Sequence, residues 1–420
     1  MAPQSTNIED ADALVAAFNP MAPDQMENPY AMYSRLRRER PVFYSPMFDL
    51  WVVTRYADIA EVERDTERFS SVGALDAKAE PHPAVREILK QGYSQFQSLV
   101  QSDPPNHTRM RNVFGRALSP QRVAAMESAI RATTNGLIDG FIQDGQVDLV
   151  QQFAFALPAF VICDLIGVPR SDMQQLKGWS DDKTLLMSAT APIEQQVESA
   201  HGFIAMERYF KEKIHERSRR PREDLLSLLV PMSMGGTAPM SEQEAVCNAM
   251  DIFSAGHETT TGLLGNGIWL LLKHPEQLAA VKADLSLLPN AIEEILRKEP
   301  PVRGFFRQVM TDTTLGGVSL PKGARTFILY ESGNHDETQF SEPERFDIHR
   351  ADARKHLAFG KGIHFCVGAP LAKLEGRIAF EQILQRLPNL RLRTDEPTVR
   401  RPYLMLRGFE HLPLAWDVPA

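Results

Sequence analysis

The chain has 420 residues, 43% of them hydrophobic, with 46 Lys and Arg against 54 Asp and Glu for a formal net charge of −8. That length and apolar share can bury a large core, and no repeat, low-complexity tract or composition break divides it, so one domain over 1–420 is expected, with 1–24 as a flexible lead-in. The acidic balance, without a Lys/Arg stripe, excludes a nucleic-acid binder, and three widely spaced cysteines exclude a disulfide framework or a zinc site.

The first ten residues carry neither a basic stretch nor an apolar run. No signal peptide or membrane anchor is therefore expected, and the protein is expected to be cytoplasmic. Phe43-Tyr44 and Leu50-Trp51-Val52-Val53-Thr54 read as a hairpin. Asp103-Pro104-Pro105-Asn106-His107 starts a helix at proline and sets His107 and Arg111 four apart on one face. Helical patterns fill 120–230, where Cys163 sits in an apolar run and reads as core.

The next helix is expected over 241–273, with Ser241 and Glu244 as a capping box, Cys247 as core and Pro275 as the stop. Its 33 positions would span about 50 Å. The middle, Phe253-Ser254-Ala255-Gly256-His257-Glu258-Thr259-Thr260-Thr261, is poor helix material and reads either as a small-residue packing notch or as a site. Asp251 and Ser254 share a face with Glu258, and a buried carboxylate at 251 needs a partner. Further on, Glu294 and Arg297 stand at i,i+3, and strands over 314–329 are broken by Gly316-Gly317 and Pro321. The expected fold is thus mainly α with a small β region.

The last motif is Phe359-Gly360-Lys361-Gly362-Ile363-His364-Phe365-Cys366, followed by Val367-Gly368 and a helical run. A thiolate at a helix start is stabilised by free backbone N–H groups and the helix dipole. Gly360, Gly362 and Gly368 permit tight turns and close approach to something flat, while Phe359 and Phe365 keep water from the sulfur. The arrangement suits one Cys ligand to an iron porphyrin; the plainer alternative is a buried apolar cysteine.

From Phe359 to Gly368 the chain resembles, at every defined position, the haem-binding loop of cytochromes P450, Phe-Gly-x-Gly-x-His-x-Cys-x-Gly. The likeness runs over 25–415 with the motifs in order. It implies the P450 fold, a triangular prism with a long central helix and haem between distal and proximal helices. It implies haem b (iron protoporphyrin IX) with Cys366 on the iron, Ala255, Phe359 and Gly368 beside it, and His107, Arg111, Arg307 and His364 on the propionates. Glu258 and Thr259 match the acid–alcohol pair that delivers protons during O₂ activation, and Glu294, Arg297 and Arg345 match a buried triad that fixes the cysteine loop. Asn334-His335-Asp336 stands where many relatives have Asn-Arg-Asp.

The activity so implied is a monooxygenase that hydroxylates or oxidatively dealkylates a small, mostly hydrophobic molecule with two external electrons. A haem-thiolate sensor would need neither Glu258 nor Thr259. By family position the pocket is lined by 71–100, part of 182–203, 302–305 and 403–406, including Val302, Arg303 and Phe305, with Asp251 and Ser254 as polar members. Arg303 is the expected partner of Asp251, either as an internal ion pair or as a joint anchor for a polar substrate group. No flavin, nicotinamide or iron–sulfur signature follows the haem domain. A separate ferredoxin with its NAD(P)H-dependent reductase is therefore expected, ahead of a flavodoxin, drawn to Arg350, Arg354, Lys355, Lys361, Lys373 and Arg377.

Overall fold

Short apolar runs bounded by turn residues form the strands of this protein, and longer runs with helical apolar spacing form its helices. The computed structural model describes residues 8–76, 81–93, 98–188, 191–230 and 240–419. In chain order the elements used below are α1 (Ile8–Ala16), α2 (Tyr30–Glu39), β1 (Val42–Ser45), β2 (Leu50–Val53), α3 (Tyr56–Arg64), β3 (Phe69–Ser70) and α4 (Asn106–Ala117). There follow α5 (Ala156–Ile166), α6 (Met173–Ser188), α7 (Ile193–Arg219), α8 (Glu242–Lys273), α9 (Leu288–Lys298), β4 (Phe305–Val309), β5 (Thr313–Leu315), β6 (Val318–Leu320), β7 (Arg325–Ile328) and α10 (Ala369–Arg386). The helical run read over 120–230 is interrupted at Gln146–Asp148, a short strand.

The chain forms two compact units, each assembled from three stretches: Met1–Ala74, Gly262–Cys366 and Leu390–Ala415 in one, Leu75–Thr261, Val367–Asn389 and Trp416–Ala420 in the other. The first holds a sheet of order β1-β2-β7-β4-β3, in which only the β2–β7 pair is parallel. Val53 pairs with Ile328, and Ile328 with Phe305, so the expected hairpin is tied to the later strands. Val53, Ile59, Phe69, Val309, Ile328 and Leu357 make its core. The lead-in expected to be flexible is packed from α1 onward: Ala11 and Leu14 are buried, and Phe18 meets Phe43 edge-on at 5.3 Å. The apolar spacing 11, 14 carries that helix face, and Phe18 lies just beyond its end.

Buried charges pin this unit. Glu294 takes Arg297 through two bonds, 2.7 and 2.9 Å, with both side chains fully buried. The third cation is Arg350, whose Nε lies 3.2 Å from Glu294, and not Arg345 as the family spacing led us to expect. Arg345 is 60% exposed and instead reaches Glu342 and Asp347 at 3.7 and 3.9 Å; only its backbone carbonyl joins the triad, accepting from Arg297 and Arg350. Arg297 also donates to the carbonyls of Asn334 and Pro343, which fixes the approach to the cysteine loop. His335 is buried with its ring stacked on Tyr30 at 3.9 Å.

The second unit holds the first part, through Thr261, of α8, which runs unbroken over 32 residues, about 48 Å. Its start is the expected capping box: the Ser241 N–H donates to Glu244 Oε2 at 2.7 Å, and the Glu244 N–H to Ser241 Oγ at 3.2 Å. Phe114, Phe155, Ile162, Phe210 and Phe253 form the core. Cys163 belongs to it and Cys247 is largely shielded; burial pushes the Cys163 thiol up to about 12 and the Cys247 thiol up likewise, so both are inert packing. Among the described residues no helix is long and apolar enough to cross a membrane.

Glu299 of the first unit gives a pH test. Burial pushes its carboxyl up, but Arg407 at 2.6 Å, Arg400 and the Tyr30 hydroxyl outweigh that and hold it at about 2. A carboxyl depressed below its unfolded value of about 4.3 adds stability that is complete above roughly pH 5 and is lost as pH falls toward 2. Urea unfolding of Glu299→Gln is expected to show a deficit of a few kcal/mol at pH 6–7, on the order of a buried pair broken on one side, that shrinks between pH 5 and pH 3. A deficit independent of pH would count against the ion-pair account.

Candidate active site

The cysteine loop lies in the first unit. The Cys366 N–H donates to the Phe359 carbonyl at 2.8 Å, which closes 359–366 into a loop and leaves the thiol half-buried. Gly360 and Gly362 stand at φ +67° and +64°, where a side chain would be strained. Gly368 instead has φ −84° and is the residue before α10, so it caps a helix and makes no special turn. The Phe359 and Phe365 rings meet edge-on at 6.2 Å, and Ile363 and Phe365 are exposed. His364 Nε2 lies 2.9 Å from Ser71 Oγ. Arg307, on β4, donates to Glu63 at 2.7 Å and to the Phe306 carbonyl at 2.8 Å.

Val302 bridges to Leu406, and the Arg303 N–H donates to the Met405 carbonyl at 2.7 Å, so the two segments expected to line a pocket adjoin. Phe305 is half-buried with its ring 5.9 Å from Tyr330. The Arg303 side chain is buried, donating to the Pro20 carbonyl at 2.7 Å with Glu331 at 3.8 Å.

The second unit holds the acid and the alcohol. On α8, Ala255 is exposed amid buried neighbours, and Thr259 Oγ donates to its carbonyl at 2.9 Å. Such back-bonding weakens the local ladder, as the sequence suggested. Gly256 owes its size to packing: a Cβ there would sit 2.5 Å from Ile162 Cδ1 of α5. Glu258 is buried with Oε1 3.2 Å from His257 Nε2, while His257 Nδ1 faces the Phe253 carbonyl at 2.7 Å and must carry the proton of that bond. On α4, His107 is buried and Arg111 half-buried. Burial, and the Arg111 guanidinium beside it, hold the His107 imidazole below its ordinary range.

Asp251 does not pair with Arg303. Its carboxylate is taken by Lys183 of α6 and by the Ser98 hydroxyl, and Ser254 accepts from Ser180 at 2.9 Å. The family spacing singled out an arginine far along the chain, whereas a lysine on α6 is the nearer cation. Sequence reasoning missed Lys183, Ser98, His257 and Glu63; only Glu63 left a signal, a charge on the otherwise apolar buried face of α3. Of the expected pocket segments, residues 77–80, 94–97 and 189–190 lie outside the described residues. Among the cations expected near the loop, Arg350 is buried in the triad and Arg377 is bound to Glu127 at 2.8 Å. Arg354 and Lys355 are exposed, and Lys361 lies over the Tyr56 ring at 5.0 Å.

The family model for cytochrome P450 matches residues 25–406. The chain belongs to the cytochrome P450 family. It is 36% identical over 388 residues to cytochrome P450 107B1 of Saccharopolyspora erythraea, covering 91% of this chain and 93% of that one. It is also 36% identical to the 6-deoxyerythronolide B hydroxylase of the same organism, covering 92% of this chain and 96% of that one. Among solved structures, cytochrome P450 CREJ in complex with (4-ethylphenyl) dihydrogen phosphate superposes with a TM-score of 0.91 at 32% identity, over 96% of this chain and all of that one.

This P450 is accordingly a haem-thiolate monooxygenase acting on small organic molecules, and it requires O₂ and redox partners. The residues fit the cofactor. The half-buried Cys366 thiol closes a loop that exposes Ile363 and Phe365. Haem needs one protein sulfur, which Cys366 can supply.

The Asp251 pair yields a stability test. Lys183→Met strands a carboxylate whose side chain is only 18% exposed. It is expected to cost about 1–3 kcal/mol in urea unfolding, and Lys183→Met with Asp251→Leu is expected to recover most of that. Equal losses in the single and double variants would contradict the pairing.

Proposed function

We propose that Cys366 would hold the haem iron through its sulfur, that His107, Arg111, Arg307 and His364 would hold the haem carboxylates, and that Ala255, Phe359 and Gly368 would lie beside the cofactor. The observation that carries this reading is the Cys366 loop, closed on the Phe359 carbonyl at 2.8 Å with two left-handed glycines. Haem supplies O₂ binding and one-electron chemistry, and a thiolate ligand favours O–O cleavage.

Hydroxylation of R–H consumes O₂, two electrons and two protons and yields R–OH and water. The electrons come from the partner; the protons need a route through a site that excludes water. Glu258 is the group able to hold such a proton on α8. His257, with Nδ1–H committed to Phe253, turns Nε2 toward its carboxyl at 3.2 Å. The Thr259 hydroxyl, donating to the Ala255 carbonyl, keeps oxygen lone pairs to accept one proton while releasing another. The acid and the alcohol are adjacent on one rigid helix, so their spacing is set by the backbone.

The substrate is a small, mostly hydrophobic molecule, hydroxylated or oxidatively dealkylated, met by Val302 and Phe305. Asp251 and Ser254, held by Lys183, Ser98 and Ser180, serve as internal polar ties before any substrate group reaches them. Electrons arrive from a ferredoxin served by an NAD(P)H-dependent reductase, in preference to a flavodoxin, attracted by Arg354, Lys355 and Lys361. The site of action is the cytoplasm.

Glu258→Gln is expected to slow product formation about 10²-fold, and Thr259→Ala to divert electrons into hydrogen peroxide, both read as product per NAD(P)H consumed. Product and coupling within threefold of wild type in both variants would end the relay assignment. Reduction by an acidic ferredoxin is expected to slow steeply between 20 mM and 300 mM salt; a rate indifferent to ionic strength would exclude electrostatic recognition.

A further inference from the structure

α3 turns one face inward, and Tyr56, Ile59, Ala60 and Val62 supply the apolar side chains that such a face needs. Glu63 continues that buried face with a carboxylate. A charge there is costly unless it is both hydrogen-bonded and neutralised. Three donors meet it. Arg307 Nη2 at 2.7 Å and the Tyr330 hydroxyl at 2.6 Å donate to Oε1, and the backbone N–H of Lys361 donates to Oε2 at 3.0 Å. Burial and the Glu63 charge together push the Tyr330 hydroxyl well above its ordinary range, so it stays a donor.

One acid thus touches two parts of the thiolate site. Arg307 is a cation expected at the cofactor, and Lys361 lies five residues before Cys366 in its loop. The loop glycines answer to the same group: a Cβ at Gly360 would lie 3.3 Å from Glu63 Oε2, and one at Gly362 would lie 2.5 Å from the Glu63 carbonyl oxygen. The flat surface that the glycines were expected to approach is, for Gly362, the end of α3.

We propose that Glu63 is a positioning residue for Cys366, anchoring its loop through the Lys361 amide and neutralising Arg307, so that it sets the charge balance felt by the thiolate-bound metal. The inference rests on Cys366 being the axial ligand. A carboxylate that neutralises a buried guanidinium opposes the arrival of an electron nearby; removing that negative charge alone leaves Arg307 as net positive charge in a low-dielectric interior and favours reduction.

The test is a potentiometric titration of the purified haem-loaded protein, ferric to ferrous by one electron. Glu63→Gln keeps the side-chain shape and one oxygen acceptor while removing the charge. Its one-electron reduction constant is expected to rise about tenfold, a positive shift of about 59 mV, and Arg307→Gln is expected to shift the potential the opposite way. Changes below threefold in both variants, with folding and haem content as in wild type, overturn the charge role.

Glu63→Leu removes the acceptor for the Lys361 amide. It is expected to convert most of the reduced carbon-monoxide complex from the strongly red-displaced thiolate band to an unshifted one; a fully retained thiolate band overturns the anchoring role. Should Glu63→Leu fail to fold, the reduction constants of the other two variants decide. If wild-type protein itself showed no thiolate band, the assignment of Cys366 would fall instead, a result distinct from unaltered variants.

Discussion

The bond from the Cys366 amide to the Phe359 carbonyl is the constraint on which the proposed haem site depends, because it gives the Cys366 thiol a fixed, half-buried position. A single 2.8 Å hydrogen bond cannot hold eight residues by itself. Its support comes from elsewhere in the same unit. The Leu357 N–H donates to Asn334 Oδ1 at 2.6 Å, and the Asn334 carbonyl accepts from Arg297, which Glu294 holds. On the other side Glu63 meets the Lys361 amide. The loop is therefore suspended between two buried carboxylates, each with its own arginine.

Buried ion pairs recur through the first unit: Glu294 with Arg297 and Arg350, Glu299 with Arg407, Glu63 with Arg307. Such pairs are poor sources of stability compared with apolar packing of the same volume. Their value here is directional. A guanidinium donates along fixed lines, so Arg297 can collect the carbonyls of Asn334, Pro343 and Arg345 and set irregular backbone that no helix or strand would order. In the second unit the precision comes from a helix. α8 carries Glu258 and Thr259 on consecutive residues, and Gly256 lets α5 come close enough to hold that stretch rigid.

Features encoded by local spacing were legible in the sequence. The capping box Ser241–Glu244 and Pro275 located α8 to within a residue, and short apolar runs bounded by turn residues located β1 and β2. The cysteine loop was legible because its glycines, aromatics and thiol occupy one short run. Partnerships across long stretches of chain were not. Asp251 is satisfied by Lys183 and Ser98, 68 and 153 residues away, and nothing in a linear pattern ranks them above Arg303. Arg345 and Arg350 are equivalent as composition, and only the turn between them decides which side chain reaches Glu294. Glu63 sits in an ordinary amphipathic helix, and its importance emerges only when β4 and the loop arrive at the same carboxylate.

Each unit is assembled from three separated stretches of chain, the last of them beyond residue 389 in one case and beyond 415 in the other. During synthesis the stretch from residue 262 must reach back to residues 1–74, and the stretch from residue 367 back to residues 75–261, before each unit is complete. Contacts of such large sequence separation make for slow maturation, with apolar helices waiting for their late partners. For anyone producing this enzyme, slower translation or a cooler culture addresses that waiting period directly, and trimming a few dozen C-terminal residues removes strands that pair with Gln146–Asp148.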